Sequence, residues 1–188
     1  MKVWVIRHGE SETNKNGLWT GWLDVPLTER GKEDAASASK IVSSVPFDKI
    51  YSSDLQRAKN TAEIAIPGCR YETTAMLREI NVGTIAGKPL GIVKGPDNQP
   101  LNRDGYAVFG GESNDEFRDR IAAFMKSLDS ADCENIAVFS HAGVLRKMFE
   151  ITLKMELSPG TLLCRNCAVA IFDVKSSAWK LHSWINLH

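Results

Sequence analysis

The chain has 188 residues, 43% of them hydrophobic, and balances 23 Lys and Arg against 23 Asp and Glu. That length suits one domain with a single substantial core, and the even charge leaves no overall field to draw in nucleic acid or an anionic membrane, so any anion must be recognised locally. No apolar run approaches the ~20 residues of a membrane span, a cleaved leader would remove the chemistry near the N-terminus, and four cysteines form no disulfide framework; the expected location is the cytoplasm.

In chain order, Lys2-Val3-Trp4-Val5-Ile6 reads as a buried strand that delivers Arg7-His8-Gly9 at its carboxyl end, with Ser11 and Asn14 in the loop beyond. Thr28 is a suitable N-cap for a helix to about Ser44, and Lys49-Ile50-Tyr51-Ser52 reads as a second strand. Ser53-Asp54-Leu55-Gln56 has the form of a capping box opening a helix to about Ala65, which Pro67-Gly68 ends. A short third strand is expected over Arg70 to Thr73. Residues 80 to 111 are rich in Gly, Pro and Asn and lack periodicity, which marks them as a small cap or specificity loop within one 1–188 domain. Ser113-Asn114-Asp115-Glu116 is another capping box, Ile136 to Ser140 a strand ending in His141, and Val144, Leu145, Met148 and Ile151 the inner face of the next helix. Ala168 to Val174 and Trp179 to Ile185 close the chain as strands, with Trp179 and Trp184 expected in the core. The alternation predicts an α/β fold: a mostly parallel sheet of about six strands with helices on both faces and one antiparallel strand.

Three strand-to-helix junctions then carry Arg7 and His8, Arg57, and His141, and in a doubly wound sheet such junctions share one rim. A cation at the start of a helix meets the positive end of the macrodipole, at a cost of ~0.3–1 kcal/mol that a bound anion would reverse. The backbone amides of Ala142 and Gly143 open the next helix and would face the same spot. Read singly, Arg57 could be a solvated charge and His141 a core histidine; together they suit phosphoryl transfer through a phosphohistidine, which needs positioning and charge stabilisation more than covalent help. Glu79 is a candidate proton donor, or else a surface carboxylate paired with Arg78. No HExxH or GxxxxGK[ST] occurs, His182 and His188 lack ligand-like spacing, and the Cys164-x-x-Cys167 pair, expected in an extended segment, would point to opposite faces, so neither metal nor redox chemistry is expected.

The blocks Arg7-His8-Gly9-Glu10-Ser11-Glu12-Thr13-Asn14, Pro26-Leu27-Thr28-Glu29-Arg30-Gly31, Ser52-Ser53-Asp54-Leu55-Gln56-Arg57-Ala58, Leu77-Arg78-Glu79, Gly110-Gly111-Glu112-Ser113 and Ser140-His141, in that order, resemble the histidine phosphatase superfamily, phosphoglycerate mutase-like branch. The resemblance implies that fold, His8 as the phosphorylated nucleophile, Arg7, Arg57 and His141 as holders of the phosphoryl group, Glu79 as acid and base, and Asn14 at the pocket edge. Trp19 to Leu27 is similar to the stretch in which cofactor-dependent phosphoglycerate mutases contact substrate, at Thr20 and Gly21 here. Yet residues 80 to 111 offer only Lys88, Lys94 and Arg103 as cations, and the chain is shorter than typical mutases. The favoured expectation is a metal-independent phosphomonoesterase for a small phosphorylated metabolite, needing no cofactor. The alternatives are a mutase using 2,3-bisphosphoglycerate, and a phospholigand-binding module with little turnover. Two departures stand out: Gly83-Thr84-Ile85-Ala86-Gly87 lacks the family's Trp and second Glu, and Ala142 replaces a frequent glycine.

Overall fold

The computed structural model describes residues 1–91, 105–158 and 161–187. Its centre is a six-stranded sheet in the order β3-β2-β4-β1-β5-β6. The strands are β1 (Lys2–Arg7), β2 (Lys49–Ser53), β3 (Glu72–Thr74), β4 (Asn135–Ser140), β5 (Val169–Lys175) and β6 (Ala178–Ile185). Pairing is parallel among β1 to β4, while β5 runs antiparallel to both β1 and β6. One strand therefore opposes the rest, as the pattern predicted. The helices are α1 (Glu12–Lys15), α2 (Glu29–Val42), α3 (Gln56–Ala65), α4 (Asn114–Ser127) and α5 (Ala142–Leu153).

Side chains alternate across the strands and so build two cores. On one face Val3, Val5, Ile136, Val138 and Phe172 meet Phe117, Ile121 and Phe124 of α4 and Val144, Leu145 and Met148 of α5. Trp179 and Trp184, half-buried, pack against this core. On the other face Ile6, Ala137, Phe139 and Val169 meet Ala35, Ala38 and Val42 of α2 and Ala62 and Ala65 of α3, whose small side chains let both helices lie close to the sheet. Among the described residues no helix is long and apolar enough to cross a membrane.

Register decides where the chemistry falls. Arg7 is level with Ser140, and Ser52 with Phe139, so His8, Ser53 and His141 emerge together at one end of three adjacent strands. Behind them two backbones cross almost in contact: a Cβ on Gly31 would lie 2.0 Å from the Glu10 carbonyl oxygen, and one on Gly9 would lie 2.1 Å from that of Gly31.

Several sequence expectations are corrected. The Ser113 capping box forms, but the one at Ser53 does not: α3 starts after Leu55, which has no side-chain cap, and Asp24 Oδ1 instead accepts from the Gln56 amide at 2.7 Å. The loop after His8 contains α1, capped by Ser11, and β3 begins at Glu72 rather than Arg70. Residues 80 to 111 are not wholly irregular, since they contain 3-10 turns at Gly83–Ile85 and Ala107–Phe109; Lys94 and Arg103 lie outside the described residues. Cys164 and Cys167 are joined by a turn, with Cys167 at φ 56°, rather than an extended segment. They nevertheless enter different cores, both as free thiols, and burial pushes the Cys164 thiol up to about 11.

Candidate active site

His8, 4% exposed, is the hub of this rim. Its Nδ1 lies 2.7 Å from the Gly9 carbonyl oxygen, an atom that can only accept, so Nδ1 carries the proton and Nε2 presents its lone pair. Burial first, then the charges of Arg57 and Arg7, hold the ring well below its ordinary pKa and therefore neutral. The backbone is fixed as well: the His8 amide donates to Ser140 O at 2.9 Å, and its carbonyl accepts from the Asn166 side chain at 3.2 Å and the Cys167 amide at 3.3 Å.

Arg57 is fully buried at the first turn of α3. Its Nε points at His8 Nε2 over 3.3 Å, while Nη1 and Nη2 donate to the Leu23 and Gly21 carbonyls at 2.7 and 2.9 Å. Burial lowers its pKa to about 10, with Glu79 and Asp24 opposing the shift. Arg7 donates through Nη1 to the Cys164 carbonyl, and its Nε is buried without a partner among the described residues. The His141 ring meets His8 edge to face with centroids 5.1 Å apart. Its Nε2 lies 2.9 Å from Ser53 Oγ, its Nδ1 is buried without a partner among the described residues, and burial together with Arg57 holds its pKa well down.

Glu79 does not pair with Arg78, which forms a two-pronged bond to Asp54 at 2.8 and 2.6 Å. The Glu79 carboxylate reaches the start of α5 instead, where Oε2 accepts from the Gly143 amide at 3.0 Å and Oε1 accepts from its own neighbour Ile80 at 2.9 Å. Only glycine leaves room there, since a Cβ at Gly143 would sit 2.0 Å from Glu79 Oε1. The Gly143 amide, expected to face a bound anion, is instead taken by a side chain of the protein. Ala142 is the first residue of that helix.

The remaining expected residues divide. Asn14 lies on α1, its Oδ1 taken by the Ser11 amide and Asn166 Nδ2, both at 3.3 Å. Gly21 (φ +48°) reaches the rim through its carbonyl on Arg57, whereas the Thr20 hydroxyl turns to Thr13 at 2.6 Å. The sequence reading missed Ser53 and Asn166. Asn166 precedes β5, and because β5 runs backwards its amino end, not its carboxyl end, reaches the rim. Trp22, whose Nε1 donates to the Glu79 carbonyl at 2.8 Å, and the Trp19–Tyr106 pair, with centroids 5.5 Å apart, form the neighbouring wall. Among the described residues no cluster of His, Cys, Asp and Glu could hold a metal ion.

The family model of the histidine phosphatase superfamily, branch 1, matches residues 3–187. The adenosylcobalamin/alpha-ribazole phosphatase of Salmonella typhimurium is 31% identical over 166 residues, covering 82% of this chain and 81% of that protein. A phosphoglycerate mutase structure from Thermus thermophilus superposes over the whole of both chains at 28% identity with a TM-score of 0.73. The structure of Rv3214 from Mycobacterium tuberculosis, at 21% identity, a TM-score of 0.84 and coverage of 100% of this chain and 98% of that one, shares the fold. With its family model matched from the first strand to the last, the chain belongs to the histidine phosphatase superfamily.

Proposed function

We propose that the protein is a metal-independent phosphomonoesterase that hydrolyses a small phosphorylated metabolite through a phosphohistidine on His8. The observation that carries this reading is the neutral His8 with its Nε2 lone pair turned toward Arg57, beside two buried nitrogens, Arg7 Nε and His141 Nδ1, that lack partners among the described residues. Unpartnered buried donors are costly unless a ligand completes them, and three phosphoryl oxygens would do so. In the first step His8 Nε2 bonds to phosphorus as the ester oxygen leaves with a proton from the Glu79 carboxyl group. In the second, Glu79 takes a proton from the water that attacks phosphorus, and the His8–phosphorus bond breaks to release inorganic phosphate. Arg7, Arg57 and His141 hold the equatorial oxygens throughout, with Asn14 at the edge.

Hydrolysis is favoured over mutase chemistry by what the neighbouring cations are doing. A phosphoglycerate carries a second anionic group, and among the described residues Arg78 is committed to Asp54, Arg120 to Glu112 and Lys147 to Glu150. Two assays test the proposal: p-nitrophenyl phosphate turnover in EDTA, and 3-phosphoglycerate isomerisation with and without 2,3-bisphosphoglycerate. Steady phosphate release that a His8→Ala variant lacks, without isomerisation, is expected; isomerisation stimulated by the bisphosphate would overturn it in favour of the mutase, and phosphate binding with no turnover in favour of a binding module. Similarity to the Salmonella phosphatase places an α-ribazole phosphate in the first substrate panel.

A further inference from the structure

Ser53 is fully buried at the end of β2, where the sequence offers it as a helix cap, yet α3 does not use it. The cap is supplied from 32 positions away by Asp24 Oδ1 on the Gln56 amide, leaving the Ser53 hydroxyl 2.9 Å from His141 Nε2. We propose that Ser53 is a positioning residue that donates its hydroxyl proton to His141 Nε2 and so fixes His141 as the Nδ1–H tautomer, the form that offers an N–H to the phosphoryl group. The inference rests on the phosphatase reading for its catalytic meaning, while its structural half rests on the Ser53–His141 hydrogen bond and the burial of the ring.

Ser53 Oγ already accepts from the Leu55 amide at 3.4 Å, which leaves its one proton to be donated, and among the described residues His141 Nε2 is the acceptor in reach. An imidazole kept neutral by burial and by Arg57 has one N–H, so a lone pair on Nε2 puts it on Nδ1. Nδ1 is the buried ring atom without a partner among the described residues, on a ring packed edge to face against His8. With the other tautomer, His141 would turn a lone pair toward phosphoryl oxygens, and an attractive contact would become a repulsive one. Which nitrogen bears the proton is set by the bond the other nitrogen makes, and Ser53 makes that bond.

Long-range proton–nitrogen correlation spectra of the full chain labelled with 15N-histidine read the tautomer directly, with His141 assigned from a His141→Asn sample. The wild type should show Nδ1–H at His141. Ser53→Ala should populate the Nε2–H form and lower kcat for p-nitrophenyl phosphate by on the order of tenfold, and Ser53→Thr, which keeps the hydroxyl, should restore both. An Nε2–H tautomer in the wild type would overturn the proposal without any variant having to fold. So would a Ser53→Ala protein with unchanged tautomer and kcat. If the wild type hydrolyses nothing, the phosphatase reading fails while the spectrum still decides the Ser53–His141 bond.

Discussion

Gly143 is the residue that allows Glu79 to reach the first turn of α5, because any side chain there would meet the carboxylate at 2.0 Å. Gly143→Ala should therefore move the proposed proton donor while leaving the fold intact, since alanine is the better helix former by ~1 kcal/mol and offsets the lost amide–carboxylate bond. We expect kcat to fall by on the order of a hundredfold, with KM and the thermal midpoint little changed, in steady-state kinetics paired with calorimetry. Arg57→Lys should behave differently. Lysine can replace neither the Nε contact to His8 nor both donors to Gly21 and Leu23, so a loss of ~1–3 kcal/mol in urea unfolding should accompany a drop in kcat of ~10²–10³. The placement of His8, Arg7, Arg57 and His141 was legible because each lies at the end of a strand or in the turn and helix start beyond it. The partners of Glu79 and Ser53 were not. A hydroxyl that can cap a helix can equally bond a histidine, and only the packing of β2 beside β4 brings His141 within its reach.

Among the elements, the segment from Gly17 to Asp24 ties the rim together. Its backbone bonds to residues 87–90 on one side, through Trp19 O and the Gly87 amide at 2.7 Å and Gly17 O and the Leu90 amide at 2.8 Å. On the other side Asp24 and the Arg57 contacts tie it to the start of α3. Removing the cap with Asp24→Ala should cost ~1 kcal/mol in urea unfolding and raise KM more than it lowers kcat, because it loosens the wall and not the nucleophile. Asp24→Asn, which keeps an acceptor oxygen, should recover most of both. The sequence placed α3 correctly and its cap wrongly, because the residue that caps it is supplied across the fold. It likewise missed the rim contribution of Asn166, because the rule that ligands gather at carboxyl ends holds for parallel strands and β5 is the exception.

For the whole molecule, two buried neutral histidines at the rim of the sheet predict a particular acid sensitivity. Both His8 and His141 are held well below the ordinary value of 6.5. Above that pH folded and unfolded chains hold both rings neutral, and the fold keeps its full stability. As pH falls through 6.5 the unfolded chain takes up protons that the folded one refuses, so stability should decline by up to about 1.4 kcal/mol per pH unit for each histidine. Urea unfolding between pH 7.5 and about 5 measures that slope; His141→Gln should roughly halve it, and an unchanged slope would contradict the buried, neutral assignment. A phosphohistidine on His8 is covalent and can be trapped without knowing the natural substrate. Rapid mixing with excess p-nitrophenyl phosphate in EDTA, followed by an alkaline quench and peptide mass spectrometry, should trap one phosphoryl group on the peptide containing His8 and none in a His8→Ala protein. Turnover with phosphate on any other residue, or turnover that survives His8→Ala, would contradict it.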